Sequence, residues 1–463
     1  MAEFGDEIME NAPLLQPRHM LESKIFELCA ETLEETSNLI QNLFSKDDYD
    51  QVYKLIIYAS KIRPFIWRLL GDLWEKLGPT EIRVTTAPFT EYLYRRKIIT
   101  IDSLTNRPRL PYSIEEFEIG FPPNSIEAAI KFDDLERITE LSTTRDISAD
   151  LKLYRETVHP LDFVAFFGSK KIFQYLLLNG SKIGDNTAKF AVKGGNFEII
   201  ESVLQNGNKI SGLLAIAIEY HRNDVVNWLL DNCIEENISL QHCITYYNTL
   251  AFTYFFVNKC GVNDEVNDYS PLLTAAEGGK GDIVRFLISN GADCNYKNQY
   301  GDSPFTRAAT NCHFGVLKQL IEAGVDVNTK YADGTPVISR AATDGVIKLV
   351  KFLLSEGVDI KTLNKEKSSL LMLASSSGHL DLVQYLIDNG ADLYWQNKYN
   401  YTALVWASEN DFPDVVDLIL EKGDLKRMNP KLAFNKARSQ LCREALLKAA
   451  EKNNLILETE ENE

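Results

Sequence analysis

The residues best suited to chemistry are the histidines and cysteines, and their spacing decides what they can do. A metal site or an activated nucleophile needs partners brought together, as in paired-histidine or CxxC patterns. The six histidines and seven cysteines are scattered and follow no such pattern. The neighbours Cys312–His313 and His242–Cys243 come nearest, but adjacent residues on a helix point about 100° apart. We therefore expect no catalytic residue, no metal site, no cofactor and no enzymatic activity.

Two further motifs invite a chemical interpretation. The segment GGKG at 278–281 lacks the GxxxxGK[ST] spacing of a phosphate-binding loop, so we interpret it as a turn between two helices. His379 follows a glycine, and we interpret it as a side chain that stabilises a similar turn rather than as a catalytic base. Neither motif indicates a small-molecule substrate.

Charge and composition narrow the classes of partner. A net charge of −17 repels the phosphate backbone of nucleic acids and anionic membranes. The first residues lack the basic-then-apolar order of a secretory signal, and no apolar run approaches the roughly 18 residues of a membrane span. The scattered, odd-numbered cysteines indicate reduced thiols. We expect a cytoplasmic protein, with nuclear access left open, that binds neither nucleic acid nor membrane.

An internal period identifies the elements that position the side chains. Glycines recur at a constant interval, at positions 291, 324, 357, 390 and 423. The same text surrounds them, as in SPLLTAAEGGKGDIVRFLISNGADCN from Ser270 and SPFTRAATNCHFGVLKQLIEAGVDVN from Ser303. Ser-Pro begins a helix, small residues let paired helices approach, and the glycine ends the second helix. The pattern predicts stacked helix pairs.

These segments resemble ankyrin repeats. The resemblance implies an all-α fold with short β-hairpin loops, an ankyrin-type α-solenoid whose function is to bind other proteins. In the third copy, Pro336 comes one position earlier than the period set by Pro304 requires, which predicts a shortened hairpin.

The signal continues upstream with a shorter step, through Gly180, Gly207, Cys233 and Gly261. Loss of the projecting hairpin would shorten each unit in this way. We expect an earlier unit to begin at Asn124, with its side chain capping the helix. The arrangement of helical leader, short pairs and regular repeats resembles a large uncharacterised ankyrin family expanded in some unicellular eukaryotes. That resemblance implies protein binding and supplies no catalytic residue.

The predicted organisation has seven parts. They are a disordered leader (1–20), an N-terminal helical module (21–100), a linker (101–123), divergent short ankyrin-like helix pairs (124–262), five ankyrin repeats (263–424), a C-terminal capping helix (425–456) and an acidic tail (457–463).

The candidate binding residues are those at hairpin tips and on the exposed side of first helices, because the second-helix apolar residues are used in the core. They are Tyr269, Glu277, Gln299, Tyr300, Asp302, Thr310, Asn311, Tyr331, Thr343, Asp344, Lys365, Glu366, Trp395, Lys398, Tyr399, Tyr401, Glu409 and Asn410. Trp395, Tyr399 and Tyr401 form the best candidate for an energetic hot spot. Packing between neighbouring hairpins is the alternative role for these three aromatic residues.

The function we expect is that of a non-enzymatic scaffold that binds a protein partner on the concave face of the solenoid. An alternative is an adaptor whose N-terminal module delivers a repeat-bound client to a ubiquitin ligase or kinase complex. A third class, an enzyme within residues 21–100, has little support, because that segment contains no histidine and only Cys29 as a thiol.

Overall fold

The computed structural model divides into two compact units, residues 1–266 and 267–463. It describes residues 9–10, 12–43, 49–62, 67–78, 89, 92–93, 96, 98, 121–122, 124–153, 156–184, 186–206, 212–232 and 237–457. Most of the predicted linker 101–123 and nearly all of the acidic tail 457–463 lie outside the described residues, as do Gly207 and Cys233.

The first unit begins with four helices, which are α1 (Gln16–Phe26), α2 (Leu33–Leu43), α3 (Tyr49–Ile62) and α4 (Trp67–Leu77). A short 3₁₀ turn at Pro13–Leu15 leads into α1. Residues 13–20 are therefore helical, which corrects the expectation of disorder over 1–20. The apolar faces of the four helices share one core around Trp74 and Tyr53, whose ring centroids are 4.3 Å apart.

Divergent helix pairs follow in the first unit. They are α5 (Ile126–Lys131) with α6 (Leu135–Ser142), α7 (Pro160–Phe167) with α8 (Lys170–Leu178), α9 (Thr187–Gly194) with α10 (Phe197–Gln205), α11 (Leu213–Glu219) with α12 (Asn223–Asp231), and α13 (Leu240–Thr245) with α14 (Thr249–Asn258). An antiparallel pair, β1 (Leu151–Leu153) and β2 (Glu156–Val158), precedes α7 and was not expected from the sequence. Ser125, not Asn124, caps α5 by accepting from the Ala128 N–H at 3.1 Å.

The N-terminal helices pack on the turns within two of these pairs. Both carboxylate oxygens of Glu22 accept hydrogen bonds from Thr249, one from its N–H and one from its hydroxyl, at 2.8 Å each. Glu22 thereby caps the first turn of α14, where N–H groups have no partner within the helix. Phe26 stacks on His221 with centroids 3.6 Å apart, and the Tyr58 hydroxyl donates to the Glu219 carbonyl.

The second unit contains the regular pairs. They are α15 (Pro271–Glu277) with α16 (Gly281–Ser289), α17 (Pro304–Thr310) with α18 (Phe314–Glu322), α19 (Val337–Thr343) with α20 (Ile347–Ser355), α21 (Leu370–Ser376) with α22 (Leu380–Asp388), and α23 (Ala403–Glu409) with α24 (Pro413–Lys422). Helix α25 (Pro430–Lys436) and helix α26 (Gln440–Lys452) follow a 3₁₀ turn at Leu425–Arg427. The predicted capping helix of 425–456 is thus a further pair, since Pro430 begins one helix and Ser439 caps the next.

First helices of the second unit start at positions 271, 304, 337, 370 and 403, so the step between them is constant and equals that of the glycines. The prediction of a shortened third hairpin is therefore wrong. Pro336 occupies the N-cap position that Ser303 and Ser369 hold in the neighbouring repeats, whereas Pro304 is the first residue of its helix. The two prolines therefore differ by one position within the repeat, and the length of the hairpin is unchanged. Two of the hairpin loops each form a single isolated bridge, Lys330 with Pro336 and Leu363 with Ser369.

In the second unit, side chains in the turn between two paired helices form hydrogen bonds with the preceding repeat. The ring Nε2 of His313 lies 3.0 Å from the Glu277 carbonyl, and that of His379 lies 2.8 Å from the Thr343 carbonyl. This confirms the turn-stabilising role predicted for His379. Gly390, at φ 85°, ends α22 in the left-handed conformation, as its place in the period predicts.

No helix in the described part of the chain is both long enough and apolar enough to cross a membrane.

Candidate partner-binding surface

Three hairpins of the second unit are each built around an asparagine five positions before the N-cap of the next first helix. The Oδ1 of Asn298 accepts from the N–H groups of Tyr300 and Asp302, at 3.0 and 2.8 Å. Asn364 and Asn397 make the same two bonds in their own hairpins. The amide side chain holds the turn in place of a backbone partner.

This bracing leaves the tip residues outside the core. The Tyr300 side chain is 65% exposed and that of Tyr399 is 56% exposed. Both rings sit at the same place in their repeats, two positions after the bracing asparagine. Large aromatic side chains with this exposure supply contact area to a partner at a small cost in side-chain entropy.

The third hairpin departs from the others. Tyr331 occupies the position of the asparagine. The backbone turn is kept, because the Tyr331 N–H donates to the Thr335 carbonyl at 3.0 Å and the Gly334 N–H donates to the Tyr331 carbonyl at 2.9 Å. Asp333 supplies the brace instead, accepting from the Thr335 N–H at 2.8 Å. Hydrogen bonds from Thr335 lower the pKa of the Asp333 carboxyl, and burial raises the pKa of the Tyr331 phenol.

The fourth residue of α17 and of α19 is an arginine held by carboxylates. Arg307 lies 2.6 Å from Asp302 and 3.5 Å from Glu277, and it donates to the Tyr269 hydroxyl at 3.4 Å. Arg340 lies 2.8 Å from Asp333 and over the ring of Tyr331, 5.5 Å from its centroid. These contacts orient each guanidinium before any partner arrives.

An open cleft of about 370 Å³ lies between α17, α19 and the third hairpin. Its charged and hydroxyl-bearing lining consists of Asp302, Thr310, Tyr331, Asp333, Arg340 and Asp344. The structure thus brings together four of the predicted residues, Asp302, Thr310, Tyr331 and Asp344.

A second group of predicted residues lies near the last repeats. The Trp395 indole donates to the Lys367 carbonyl at 2.7 Å, and its side chain remains 36% exposed. Tyr401 packs edge-on against Trp406, with centroids 5.0 Å apart, and its hydroxyl bonds to Glu409 at 3.5 Å. Of the three predicted hot-spot aromatic residues, Trp395 and Tyr401 therefore use their polar atoms in hydrogen bonds within the protein.

Tyr399 is the member of that trio with the greatest exposure. The Lys398 ammonium lies 5.1 Å from its ring centroid and 3.5 Å from the Glu366 carboxylate. With these contacts in place, Tyr399 is still 56% exposed.

The remaining predicted residues lie along the same repeats. Gln299 donates to Asp268, Asn311 donates to the Glu277 carbonyl at 3.2 Å, and Asn410 donates to the Ser376 carbonyl at 2.7 Å. The Thr343 hydroxyl donates to the Ser339 carbonyl of its own helix, and Lys365 is exposed. Several predicted binding residues thus also connect one repeat to the next.

Sequence analysis missed Arg307, Asp333 and Arg340, which contact the predicted residues. The signal was available, because Arg307 and Arg340 are one repeat apart and occupy the same position of a first helix. A charged residue repeated at one helical position beside buried neighbours indicates a charged stripe on the surface of stacked repeats.

The histidine, cysteine and GGKG motifs that were considered for catalysis or ligand binding have structural roles. His242 Nε2 lies 3.2 Å from the Ala215 carbonyl, and Cys312 adopts φ 57° in the turn before α18. Within the ranges that the structure describes, no group of three or more histidine, cysteine or acidic side chains could hold a metal ion. The GGKG segment forms the turn between α15 and α16, as predicted.

Comparison with protein families identifies the class. Residues 240–331 and 338–429 match the family described as "Ankyrin repeats (3 copies)", and residues 178–255 match a domain of unknown function (DUF3447). The chain thus contains ankyrin repeats in an all-α fold, as the sequence predicted, and such repeats imply a role in protein–protein interaction. The particular family expanded in unicellular eukaryotes is not identified by these matches.

Among solved structures, the chain is similar to the human ASB11 ankyrin repeat domain, at 23% sequence identity and a TM-score of 0.41. The similarity covers 46% of this chain and 98% of the human one. No curated protein matches the chain.

Proposed function

We propose that the protein is a non-enzymatic scaffold that holds a protein partner on the concave face of its regular repeats. We define this hairpin face as the surface formed by the hairpin tips and the exposed side of the first helices in residues 267–436. The partner would contact the predicted binding residues together with Arg307, Asp333 and Arg340.

One observation carries the proposal. The hairpin face combines exposed rings, Tyr300 and Tyr399, with guanidinium groups already oriented by Asp302 and Asp333. Tyrosine and arginine dominate the energetics of protein interfaces, and groups that are ordered beforehand lose less entropy on binding. This combination is what a surface prepared for a protein partner requires.

Composition supports the rest of the proposal. A net charge of −17 disfavours nucleic acid and anionic lipid as the partner. The free thiols of Cys29, Cys243, Cys260, Cys294, Cys312 and Cys442 suit a reducing compartment, which supports a cytoplasmic location.

Site-specific photo-crosslinking in native cells tests the location of the partner. A benzophenone amino acid replaces Tyr300 or Tyr399 on the hairpin face, and Glu322 or Glu421 on second helices provides the matched exposed control. We expect the same partner to be captured from both tyrosine positions and from neither glutamate position. Capture only from the glutamate positions would overturn the proposed surface.

A further inference from the structure

The cleft between α17 and α19 differs from the rest of the hairpin face at two positions. The first is Tyr331, which replaces the asparagine that braces the hairpins at Asn298, Asn364 and Asn397. The tyrosine gives up that pair of hydrogen bonds and places a phenol ring in the cleft wall. The Tyr331 hydroxyl lies 3.2 Å from the Thr310 hydroxyl, so the ring is held between the third hairpin and α17.

The second position is Asp344, the residue that follows α19 directly. The matching residues Asn311 and Asn410 donate through their side-chain amides to a carbonyl of the preceding repeat, at 3.2 and 2.7 Å. An ionised carboxylate has no proton to donate, so Asp344 cannot make this bond. The other two matching residues are Gly278 and Ser377, which are also uncharged.

The location of Asp344 carries an additional electrostatic cost. It is the C-cap residue of α19, where the last carbonyls concentrate partial negative charge. A carboxylate at this end of a helix is repelled by those carbonyls, whereas a cation is attracted to them. Asp344 therefore reduces stability locally, and it lines the same cleft as Tyr331.

The charges of the cleft indicate which kind of ligand would offset the repulsion between Asp344 and the end of α19. Three carboxylates, those of Asp302, Asp333 and Asp344, face one lining guanidinium, that of Arg340. Asp302 is held by Arg307 and Asp333 by Arg340, and among the described residues no ion pair involves Asp344. The Arg340 guanidinium lies over the Tyr331 ring, 5.5 Å from its centroid, and the ring also lines the cleft, where the aliphatic stem of a second cation can contact it.

We propose that this cleft is a subsite for one cationic side chain, lysine or arginine, carried by an extended segment of the protein partner. The inference rests on the proposed function, because it assigns the chemistry of one contact on the hairpin face. The cation lies between the Asp344 carboxylate and the end of α19, and its aliphatic stem lies along Tyr331.

A library of displayed random nonapeptides, selected on the full-length protein, tests the subsite. We expect selected peptides to be enriched in a single lysine or arginine and to bind the Asp344→Asn variant about five- to tenfold more weakly. Asp417→Asn, an exposed carboxylate on second helix α24, removes the same charge and should leave binding unchanged.

Thermal unfolding of the same variants provides a readout that does not depend on any peptide. Asp344→Asn restores the amide found at Asn311 and Asn410 and removes the charge at the helix end, so we expect its melting temperature to rise by about 2 °C. Weaker peptide binding by a more stable variant separates loss of the subsite from loss of folding.

The possible failures can be told apart. Selected peptides without a basic residue, whose binding is weakened by Tyr300→Ala but not by Asp344→Asn, would overturn the subsite and leave the proposed function standing. Selected peptides that are insensitive to variants at all three positions, Tyr300, Asp344 and Tyr399, would contradict the proposed function and the subsite together. A fall in the melting temperature of Asp344→Asn would also contradict the inference, since the residue would then be structural.

Discussion

The two units use the same helix pair in different ways. In the first unit, the turns of the pairs α11–α12 and α13–α14 are covered by N-terminal helices, through Glu22 on Thr249 and Phe26 on His221. In the second unit, comparable turns are fixed by neighbouring repeats, and long hairpins project tyrosines such as Tyr300. A repeat surface that is covered within the chain contributes stability, and one with projecting side chains is available for recognition.

The connections between pairs produce this difference. In the first unit, residues 179–186 join α8 to α9, whereas residues 290–303 join α16 to α17 in the second. The short connection accounts for the shorter sequence step upstream. A connection of this length is too short for the hairpin that joins α16 to α17.

Replacement of Glu22 should give the largest effect, because it breaks the internal contact of the first unit. The Glu22 and Arg18 side chains are 3% and 6% exposed and 3.0 Å apart, and Glu22 also caps α14. We expect Glu22→Ala to lower the free energy of unfolding by about 3 kcal/mol, measured by urea denaturation. The control is Glu34→Ala, whose carboxylate is 70% exposed in its pair with Lys76 and should cost less than about 1 kcal/mol. Equal effects of the two variants would show that the buried contact is no more important than a surface pair.

Two tyrosines of the last hairpin should separate packing from recognition. Tyr401 packs on Trp406 and bonds to Glu409, so Tyr401→Ala should cost about 1–2 kcal/mol in chemical denaturation. Tyr399 is 56% exposed, and Tyr399→Ala should leave the free energy of unfolding within about 0.5 kcal/mol of wild type while weakening partner capture. A large loss of stability in Tyr399→Ala would make that ring structural.

Two aspartates, one in each unit, should contribute to the free energy of unfolding with opposite pH dependence. We expect these effects to be smaller than those of the Glu22 and Tyr401 replacements. Burial raises the pKa of Asp162 in α7, so its contribution to stability is largest at low pH and is lost as pH rises from about 3.9 through its folded pKa. Hydrogen bonds from Thr335 lower the pKa of Asp333, so its contribution is present above about pH 3.9 and is lost as pH falls through its folded pKa.

Denaturation of Asp162→Asn and Asp333→Asn from pH 3 to pH 6 checks these signs. On lowering the pH, the stability of wild type relative to Asp162→Asn should increase, and relative to Asp333→Asn it should decrease. The same sign for both variants would contradict the assigned environments.

Local signals made the repeats predictable from sequence. The regular ladder of glycines marks the ends of the second helices. Gly291, Gly324, Gly357 and Gly390 are left-handed there, a conformation that glycine adopts at low cost, whereas Gly423 is extended at φ −132°. Pro336 produced a wrong prediction, since proline is suitable both at the N-cap and at the first helical position. Ser125 and Asn124 are equally good caps by residue type, so only the backbone conformation distinguishes them.

Tertiary contacts were beyond the reach of local patterns. Glu22 and Thr249 are 227 positions apart, and neither residue type indicates the other as a partner. The repeat spacing of Arg307 and Arg340 indicates a charged stripe, but it does not indicate their partners Asp302, Asp333 and Tyr331. The location of the candidate surface stays a prediction, and its pairing of charges was not predicted from the sequence.

Hydrogen–deuterium exchange of the full-length protein, with and without its crosslinked partner, tests the central claim most directly. We predict that the partner slows exchange in the hairpins at 296–302, 329–335, 362–368 and 395–401, and leaves helices α1 to α14 unchanged. Slower exchange in the first unit with unchanged hairpins would contradict the account.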